Sequence, residues 1–457
     1  MMETAKKIYF LGIGGIGMSA LAHYYLLEGC KIYGYDRTPS PITDKLTSEG
    51  ALVHFEENPD IIPQDIDFVI YTPAISKDNK EYVFFSDKKT PIYKRAQVLG
   101  MITDKYRTAA VAGTHGKTTT TSMLAHILND ERNTIAFIGG IAKNFDSNFV
   151  LHPHPEIAVV EADEFDRSFL TLHPAIAIIT SMDADHLDIY GSKAKLEESF
   201  NLFAAQVSGT VVTNENIAPL IRHSDSLTYG FKEESMCRAT DITTHANITN
   251  FIIHYLDETP VEITLPAPGK HNVLNATAAY AAARLLGIEP ETIRKKLATF
   301  SGVKRRFDYQ IERPDLVFID DYAHHPEELR SIITSVKEIY SSKKLTVIFQ
   351  PHLYTRTRDF AHEFAEVLSL ADKIILLPIY PARELPIQGI DSQYLLSLIE
   401  NHDKILLEKN ELLPYLQKNK PEVLLTLGAG DIDRLVPNIK EVLGMRNEEL
   451  EVRNILK

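Results

Sequence analysis

The chain has 457 residues, of which 44% are apolar and 24% are charged, a balance typical of a folded globular protein rather than a disordered or fibrous one. Its net charge of −14, from 48 basic and 62 acidic residues, leaves no basic excess for counterion release, so no nucleic-acid partner is expected. No apolar run approaches the roughly 18–20 residues of a membrane helix, so no membrane partner is expected either.

Apolar runs of strand length alternate with helix-length amphipathic stretches, and this alternation predicts an α/β fold with parallel sheets. The predicted strands are Lys7–Leu11, Ile32–Tyr35, Phe68–Tyr71, Thr108–Ala112, Ile157–Val160, Ala175–Thr180, Leu316–Ile319, Leu345–Phe349, Lys373–Pro378 and Val423–Leu427. A small antiparallel group is predicted over Leu227–Leu265. Polar links at Thr103–Arg107 and Val303–Arg306 suggest three domains. These predicted domains cover residues 1–106, 107–310 and 311–457.

The first motif is a glycine-rich loop near the N-terminus. Gly12, Gly14 and Gly17 form a Gly-x-Gly-x-x-Gly pattern between a predicted strand and a predicted helix over Met18–Glu28, and a second strand ends at Asp36. Such glycines let backbone N–H groups approach a diphosphate, and the helix N-terminus adds partial positive charge. The pattern predicts a nucleotide diphosphate without selecting nicotinamide over other nucleotides. A turn without a ligand is the alternative.

The second motif is a phosphate loop in the middle of the chain. A predicted strand leads into Gly113-Thr114-His115-Gly116-Lys117-Thr118-Thr119 and a predicted helix over Ser122–Leu128. Val111 stands where the strict motif has its first glycine. We predict that the backbone surrounds the phosphates of ATP, that Lys117 reaches β/γ oxygens, and that the Thr118 hydroxyl binds Mg²⁺. A helix cap rich in glycine and threonine is the alternative.

Metal ligands for this loop are expected at the ends of neighbouring strands. Glu161 follows the predicted strand Ile157–Val160, and His186 follows the predicted strand Ala175–Thr180. Because the carboxyl ends of parallel strands lie at one edge of a sheet, both side chains are predicted near the phosphate loop. For the nearby Asp163, a solvated loop position or a helix cap is an equally good interpretation.

Histidine and arginine residues concentrate at successive strand ends in the last third of the chain. Asp321 and His324 follow one predicted strand, and Arg356 follows the next. Arginine in such positions suits bidentate recognition of carboxylate or phosphate. Any one of these residues has the alternative of a plain surface charge, whereas their joint occurrence favours anion binding.

These three features together favour ATP-driven bond formation on a nucleotide-linked substrate. Phosphorylation turns a carboxylate into an acyl phosphate, which an amine then attacks through a tetrahedral intermediate. Lys117, metal ions and arginines would neutralise the developing charge. A neutral His324 is the candidate base for the incoming amine.

Ten segments carry a family resemblance. They are GIGGIGMSALA at 12–22, YTPAIS at 71–76, AGTHGKTTTTSML at 112–124, EADEFDRSFL at 161–170, DADHLDIYG at 183–191, PGKHNVLNATAA at 268–279, GVKRRFD at 302–308, DDYAHHPEEL at 320–329, FQPHLYTRTRDF at 349–360 and YPARE at 380–384. In this order they resemble the Mur ligase family of peptidoglycan precursor synthesis over essentially the whole chain.

The resemblance implies a three-domain Mur ligase architecture, with a Rossmann-like N-terminal domain, a central P-loop ATPase domain and a Rossmann-like C-terminal domain. It implies the branch that adds L-alanine to the carboxylate of UDP-N-acetylmuramate, with ATP and Mg²⁺ as cofactors. The first glycine loop would then bind UDP rather than NAD. With only two cysteines and no signal-peptide pattern, a cytoplasmic location is expected, and the oligomeric state stays open.

The resemblance also implies roles for individual residues. The catalytic positions would be Lys117, His186, His324 and Arg356. The sugar nucleotide would contact Gly12, Gly14, Gly15, Ile16, Gly17, Asp36 and Ser76. ATP would contact Gly113, Thr114, His115, Gly116, Lys117, Thr118, Thr119, Asn272, Asn275, Asp321 and Arg306, or Arg305 beside it. Mg²⁺ would bind Thr118, Glu161 and His186.

Two departures from the family pattern accompany the resemblance. Relatives that add later amino acids carry a carbamylated lysine where Glu198–Phe200 lie here, and its absence fits the alanine-adding branch. Leu353 stands where many relatives have arginine. The competing functions are an NAD-dependent dehydrogenase, a recycling ligase that attaches an intact tripeptide to the same sugar nucleotide, and a non-catalytic P-loop regulator.

Overall fold

The computed structural model describes residues 7–183, 190–382 and 384–444. The strands, in chain order, are β1 (Lys7–Leu11), β2 (Lys31–Tyr35), β3 (Leu52–His54), β4 (Phe68–Tyr71), β5 (Ile92–Lys94), β6 (Arg107–Ala112), β7 (Thr134–Ala142), β8 (Ser147–Leu151), β9 (Ile157–Glu161), β10 (Ile176–Ile179), β11 (Val211–Asn214), β12 (Ser226–Gly230), β13 (Cys237–His245), β14 (Ile248–Tyr255), β15 (Val261–Leu265), β16 (Asp308–Glu312), β17 (Val317–Asp321), β18 (Leu345–Phe349), β19 (Lys373–Leu376), β20 (Lys404–Leu406) and β21 (Val423–Leu427). The α-helices are α1 (Ile16–Leu27), α2 (Pro41–Ser48), α3 (Lys80–Asp87), α4 (Arg95–Thr103), α5 (Lys117–Leu128), α6 (Lys193–Ala205), α7 (Lys270–Leu285), α8 (Pro290–Ala298), α9 (Pro326–Ile339), α10 (Tyr354–Asp359), α11 (Ala361–Leu368), α12 (Ser392–Leu398), α13 (Lys409–Lys418) and α14 (Val436–Gly444).

The chain folds into two compact units. The first covers the residues up to Ser301 apart from Thr244–Ala246, and the second covers the remainder. Within the described ranges the first unit holds a five-stranded and a ten-stranded sheet, and the second unit holds a six-stranded sheet. No described helix is both long and apolar enough to cross a bilayer.

The five-stranded sheet is parallel throughout, in the order β3-β2-β1-β4-β5. The chain leaves β1 through α1 to reach β2 on one side, and β4 lies on the other side of β1. The strand order therefore reverses between β1 and β4, which is where open α/β sheets bind their ligands. The first glycine loop occupies this position.

The ten-stranded sheet runs β15-β14-β13-β12-β11-β10-β6-β9-β7-β8. Its central strands are parallel, and β6, which leads into the phosphate loop, lies between β9 and β10. The predicted antiparallel group is confirmed for the pair β14–β15. It is wrong for β12, which is parallel to both β11 and β13 because it extends the parallel part of the sheet.

The first two sheets share one apolar core within the first unit. Tyr24 of α1 contacts Phe137 of β7 and Phe149 of β8, with ring centroids 6.2 and 6.3 Å apart. Asn148 donates its side-chain amide to the carbonyl of Ile16 at 2.5 Å. The N-terminal and central parts are therefore joined by packing as well as by the chain.

The sheet of the second unit has the order β16-β17-β21-β18-β19-β20, and its strands are parallel except for the antiparallel pair β16–β17. Apolar clusters that include residues of α9, α11 and α12 on the one hand and of α13 and α14 on the other pack against its strands. The ends of β17 and β18 carry the predicted Asp321, His324 and Arg356.

Candidate functional site

The first glycine loop is held by the ends of three strands. Gly12 has a φ of +85°, and its N–H donates to the carbonyl of Tyr35 at 2.8 Å. A Cβ at Gly12 would lie 2.6 Å from Cγ2 of Thr72, which follows β4. The Gly14 N–H donates to Oδ2 of Asp36 at 2.8 Å. The predicted Asp36 thus lies at the loop, where it fixes the loop backbone.

The loop ends in the first turn of α1. Gly15 is the N-cap of this helix, and Ile16 is its first residue. A Cβ at Gly15 would meet no protein atom closer than the Gly12 carbonyl oxygen at 3.4 Å. Ser76 lies in the exposed segment after β4, whose Ile75 packs against Gly12. A ligand at the helix N-terminus would therefore have room beside Gly15.

Arg95 is a residue that the sequence motifs did not indicate. A Cβ at Gly17 would lie 2.8 Å from its Nη1, so the third glycine of the loop makes space for this guanidinium. Its Nη2 lies 3.7 Å from Oδ2 of Asp163 in the segment after β9. Arg95 thus connects the first glycine loop to the acidic segment near the phosphate loop.

The phosphate loop between β6 and α5 turns on two glycines. Gly113 and Gly116 have φ values of +132° and +81°. Lys117 begins α5, and its Nζ donates to the Gly113 carbonyl at 2.7 Å and contacts both carboxylate oxygens of Glu164, at 2.9 and 2.8 Å. Burial lowers the pKa of Lys117, but Glu164 and its acidic neighbours more than offset this, so the pKa lies above its usual value.

The end of β10 supports the loop from one side. The Ser181 hydroxyl lies 2.8 Å from Oγ1 of Thr114 and accepts the N–H of His115 at 2.9 Å. The Thr180 hydroxyl donates to the His115 carbonyl at 2.5 Å. The His115 Nε2 lies 3.6 Å from the Asp183 carboxylate. These contacts hold Thr114 and His115 in place just before α5, in whose first turn Lys117 and Thr119 are half-buried and Thr118 is buried.

The predicted asparagines of α7 support the loop from the other side. A Cβ at Gly116 would lie 2.6 Å from Oδ1 of Asn275, and this oxygen accepts the Thr120 hydroxyl at 3.2 Å. Asn272 donates to the Pro268 carbonyl at 2.7 Å. The structure therefore places Asn275 against the phosphate loop, and Asn272 lies behind it, with its Oδ1 accepting the Asn275 amide at 3.4 Å.

The predicted metal ligands are partly described. Thr118 is 5% exposed in the first turn of α5, and Glu161 is the last residue of β9, not the first residue after it as expected. The strand continues to Glu161 because this residue still pairs with Val111 of β6, and its Oε2 accepts the Gly139 N–H at 2.9 Å. A hydroxyl and a carboxylate are oxygen ligands that suit Mg²⁺. His186 lies outside the described residues.

In the second unit, Asp321 is a buried carboxylate at the end of β17. Its two oxygens accept the N–H groups of Phe307 and Ala323 at 2.7 and 2.8 Å. Burial raises its pKa. The guanidinium of Arg306 lies 5.0 Å from the ring centroid of Tyr322. Asp321 therefore orders the turn that carries Arg306 and Tyr322.

Arg305 and Arg306 differ in their partners. Arg305 donates to the Gly428 carbonyl, and its Nε lies 3.3 Å from the Asp320 carboxylate. Both guanidinium groups also lie over the Tyr322 ring, that of Arg305 at 5.2 Å and that of Arg306 at 5.0 Å from its centroid, so the contacts with Gly428 and Asp320 are what distinguish Arg305. Of the two arginines that the resemblance offered, Arg306 is therefore the better candidate for a ligand.

His324 is half-buried, and its surroundings favour the uncharged imidazole. Its Nδ1 lies 3.0 Å from the Tyr322 carbonyl oxygen and 3.4 Å from Glu328. Burial lowers the pKa of His324 to about 4; Arg356 and Arg306 act in the same direction, and Glu328 opposes them. Arg356 lies on α10 and is half-buried.

We expect His324→Asn to flatten the pH dependence of stability. The imidazole takes up its proton near pH 4 when folded but near 6.5 when unfolded, so the free energy of unfolding falls as the pH drops through this window. One such group contributes a slope of at most about 1.4 kcal/mol per pH unit. Chemical denaturation at pH 4.5 and 7 should give a smaller difference for the variant, and an unchanged difference contradicts the prediction. His154→Asn, at an exposed loop position, is the control.

Comparison with known proteins assigns all three parts of the chain to one family. The "Mur ligase family, catalytic domain" matches residues 7–107, the "Mur ligase middle domain" matches 111–283, and the "Mur ligase, glutamate ligase domain" matches 305–430. These matches fall on the three sheets, so the expected three-domain architecture is confirmed.

Relatives match over nearly their whole length. UDP-N-acetylmuramate–L-alanine ligase of Flavobacterium psychrophilum is 48% identical over 97% of this chain and 99% of its own, and that of Porphyromonas gingivalis is 47% identical over 96% and 99%. The crystal structure of UDP-N-acetylmuramate-alanine ligase from Thermotoga maritima has a TM-score of 0.82 at 30% identity, covering 95% of this chain and 98% of that one. A murein peptide ligase from Psychrobacter arcticus shares the fold, with a TM-score of 0.74 at 21% identity over 96% and 99% of the two chains.

Proposed function

The chain belongs to the Mur ligase family, and we propose that it joins L-alanine to the carboxylate of UDP-N-acetylmuramate, with ATP converted to ADP and phosphate. This is the first amino-acid addition of peptidoglycan precursor synthesis, and we place it in the cytoplasm. The observation that carries the proposal is the similarity to relatives named for this activity, which are 47–48% identical over nearly the full length of the chain. Two glycine-rich loops of the first unit, each leading into the N-terminus of a helix, support it independently.

The phosphate loop would activate the sugar nucleotide's carboxylate. The N-terminus of α5 and the ammonium of Lys117 would neutralise the triphosphate while its terminal phosphoryl group moves to the carboxylate. Thr118 and Glu161 would hold Mg²⁺. The charge of this ion would offset the negative charge on the oxygens of the transferred phosphoryl group. Glu161 is pinned by the Gly139 N–H, so its carboxylate is already oriented.

The second unit would act on the amine. A neutral His324 can accept the proton that the amine loses, because its depressed pKa keeps it uncharged near neutrality. Arg356 and Arg306 would bind carboxylate or phosphate oxygens as guanidinium forks. Asp321 would act by keeping the turn of Arg306 in place.

We expect Gly15→Ala to fold normally and to lose affinity for UDP-N-acetylmuramate. The new methyl group meets no protein atom closer than 3.4 Å, and Gly15 has a φ of −63°, so neither collision nor strain opposes it. It would occupy the space into which the diphosphate fits, and we expect at least about tenfold weaker binding. Isothermal calorimetry measures both ligands: unchanged ADP affinity is the control, and unchanged affinity for the sugar nucleotide contradicts this binding position.

The test of the whole reaction is ADP release with a panel of acceptors. With UDP-N-acetylmuramate present, L-alanine should stimulate release more than glycine, L-serine or an intact tripeptide. A preference for the tripeptide would identify the recycling ligase. Saturable binding of NADH, without ADP release under any condition, would support the dehydrogenase.

A further inference from the structure

Glu164 is a buried carboxylate with no role in the reaction proposed above. Its side chain is 1% exposed, and both of its oxygens lie within 2.9 Å of the Lys117 Nζ. The same Nζ donates to the Gly113 carbonyl. An ammonium has three donors. The Glu164 carboxylate and the Gly113 carbonyl therefore engage the Lys117 ammonium, which is the group expected to contact phosphate. The Lys117 side chain thus folds back onto its own loop.

The backbone around Glu164 is held rigidly. The Tyr190 hydroxyl donates to the Glu164 carbonyl at 2.6 Å. Asp166 and Arg167 follow in left-handed conformations with φ values of +53° and +55°, which persist only where surrounding contacts impose them. Lys94 pairs with Asp166 at 2.9 Å. The carboxylate is therefore aimed at a fixed point beside the phosphate loop.

We propose that Glu164 is a positioning residue that competes with nucleotide: it holds Lys117 across the phosphate loop when the loop is empty and yields the ammonium to the phosphate oxygens of ATP. This inference rests on the proposed use of ATP at this loop. A carboxylate and a phosphate are acceptors for the same donors, and the carboxylate also repels the polyphosphate. Glu164 thus keeps the Lys117 side chain ordered in the empty loop and lowers the affinity for the product ADP after turnover.

The inference predicts that Glu164→Gln binds nucleotide more tightly. The amide keeps the shape of the side chain and removes its charge, so Lys117 moves to phosphate at lower cost, and we expect about tenfold tighter ADP binding. AMP, which lacks the phosphates within reach of Lys117, should bind as in the unsubstituted chain. Calorimetry in EDTA excludes metal effects. In steady state, the KM for ATP should fall while the KM for L-alanine stays unchanged.

A double-mutant cycle separates this role from plain charge repulsion. In a Lys117→Met background the same Glu164→Gln change should tighten ADP binding much less, because no lysine remains to be released. Equal tightening in both backgrounds would overturn the inference. The inference would also fail if Glu164→Gln bound nucleotide more weakly than the unsubstituted chain only when Mg²⁺ is present, because Glu164 would then be a metal ligand.

The outcome also separates this inference from the proposed function. If the unsubstituted chain binds neither ADP nor ATP, the use of ATP at this loop fails. If it binds ADP and Glu164→Gln binds ADP equally or less tightly, only the role of Glu164 fails. Should Glu164→Gln not fold, Glu164→Asp is the substitute variant. Its carboxylate is one methylene shorter and lies farther from Lys117, so ADP should again bind more tightly than to the unsubstituted chain.

Discussion

Replacing Lys117 by methionine should reduce ADP release by at least about 10³-fold, because the ammonium is the cation that the phosphate loop itself supplies to the transferred phosphoryl group. Methionine keeps much of the apolar stem and removes the charge. The loop glycines, Gly113 and Gly116, retain their left-handed conformations, so the backbone cradle persists. The substitution should therefore lower kcat while the loop backbone keeps its conformation.

The same substitution has a second effect that must be separated from catalysis. It leaves the Glu164 carboxylate, 1% exposed, without its cation. Breaking one side of a buried pair typically costs about 3–5 kcal/mol of stability. The double variant Lys117→Met/Glu164→Gln removes both charges and should recover most of this stability. Its thermal unfolding and its ADP release, measured together, isolate the catalytic role.

A matched control exists in the same unit. Lys193 is also the first residue of its helix, but its partner Glu197 lies 3.9 Å away, and the Lys193 side chain is 61% exposed. Exposed pairs of this kind contribute about 0.3–0.5 kcal/mol. Lys193→Met should leave both turnover and stability nearly unchanged. A folded double variant that still releases ADP at a normal rate would remove Lys117 from the mechanism.

Sequence patterns located the buried strands well. Continuous apolar runs predicted Lys7–Leu11, Phe68–Tyr71, Leu345–Phe349 and Val423–Leu427 residue by residue, because strands covered on both faces need no alternation. The strand Thr134–Ala142 was missed, since its two glycines interrupt the apolar pattern. One of them, Gly139, is there to admit the Glu161 carboxylate, a reason that only the paired strand reveals.

The start of α5 shows where local propensity misleads. The run of threonines placed the predicted helix start at Ser122, whereas the helix begins at Lys117. β-branched residues lower helix propensity, but Thr118, Thr120 and Thr121 are buried and their packing outweighs it. The helix therefore begins directly after its N-cap, the left-handed Gly116, so Lys117 and Thr118 lie in its first turn.

The candidate site was predicted where a motif is contiguous and missed where it depends on distant partners. Gly113, Lys117 and Thr118 lie within six residues of one another, and the structure places Lys117 and Thr118 in the first turn of α5, with the Lys117 Nζ on the Gly113 carbonyl. Glu164 lies in the segment 161–170 that carries the resemblance but was given no role there, and Arg95 lies in none of the ten segments. Their importance lies in contacts with Lys117 and with the Gly17 turn, which are remote in the chain and arise only from the packing of the first unit.

The second large effect is expected for Gly113→Ala, which should abolish nucleotide binding. Gly113 has a φ of +132°, a conformation that only glycine adopts without strain. A Cβ there would collide with the Thr180 hydroxyl and lie 2.8 Å from the backbone nitrogen of Ser181. The hydroxyl can rotate away, but the backbone nitrogen cannot, so the loop must move off the end of β10.

This movement would break the contacts of Ser181 with Thr114 and His115 and displace the start of α5. We expect at least about 100-fold weaker ADP binding and a stability loss of about 1–3 kcal/mol from strain. Gly29→Ala is the matched control, because Gly29 also has a positive φ, +79°, but a Cβ there meets nothing within 4 Å. It should lose stability through strain alone and keep its ADP affinity. Calorimetry that finds normal ADP binding by Gly113→Ala would mean that nucleotide binds elsewhere than in this loop.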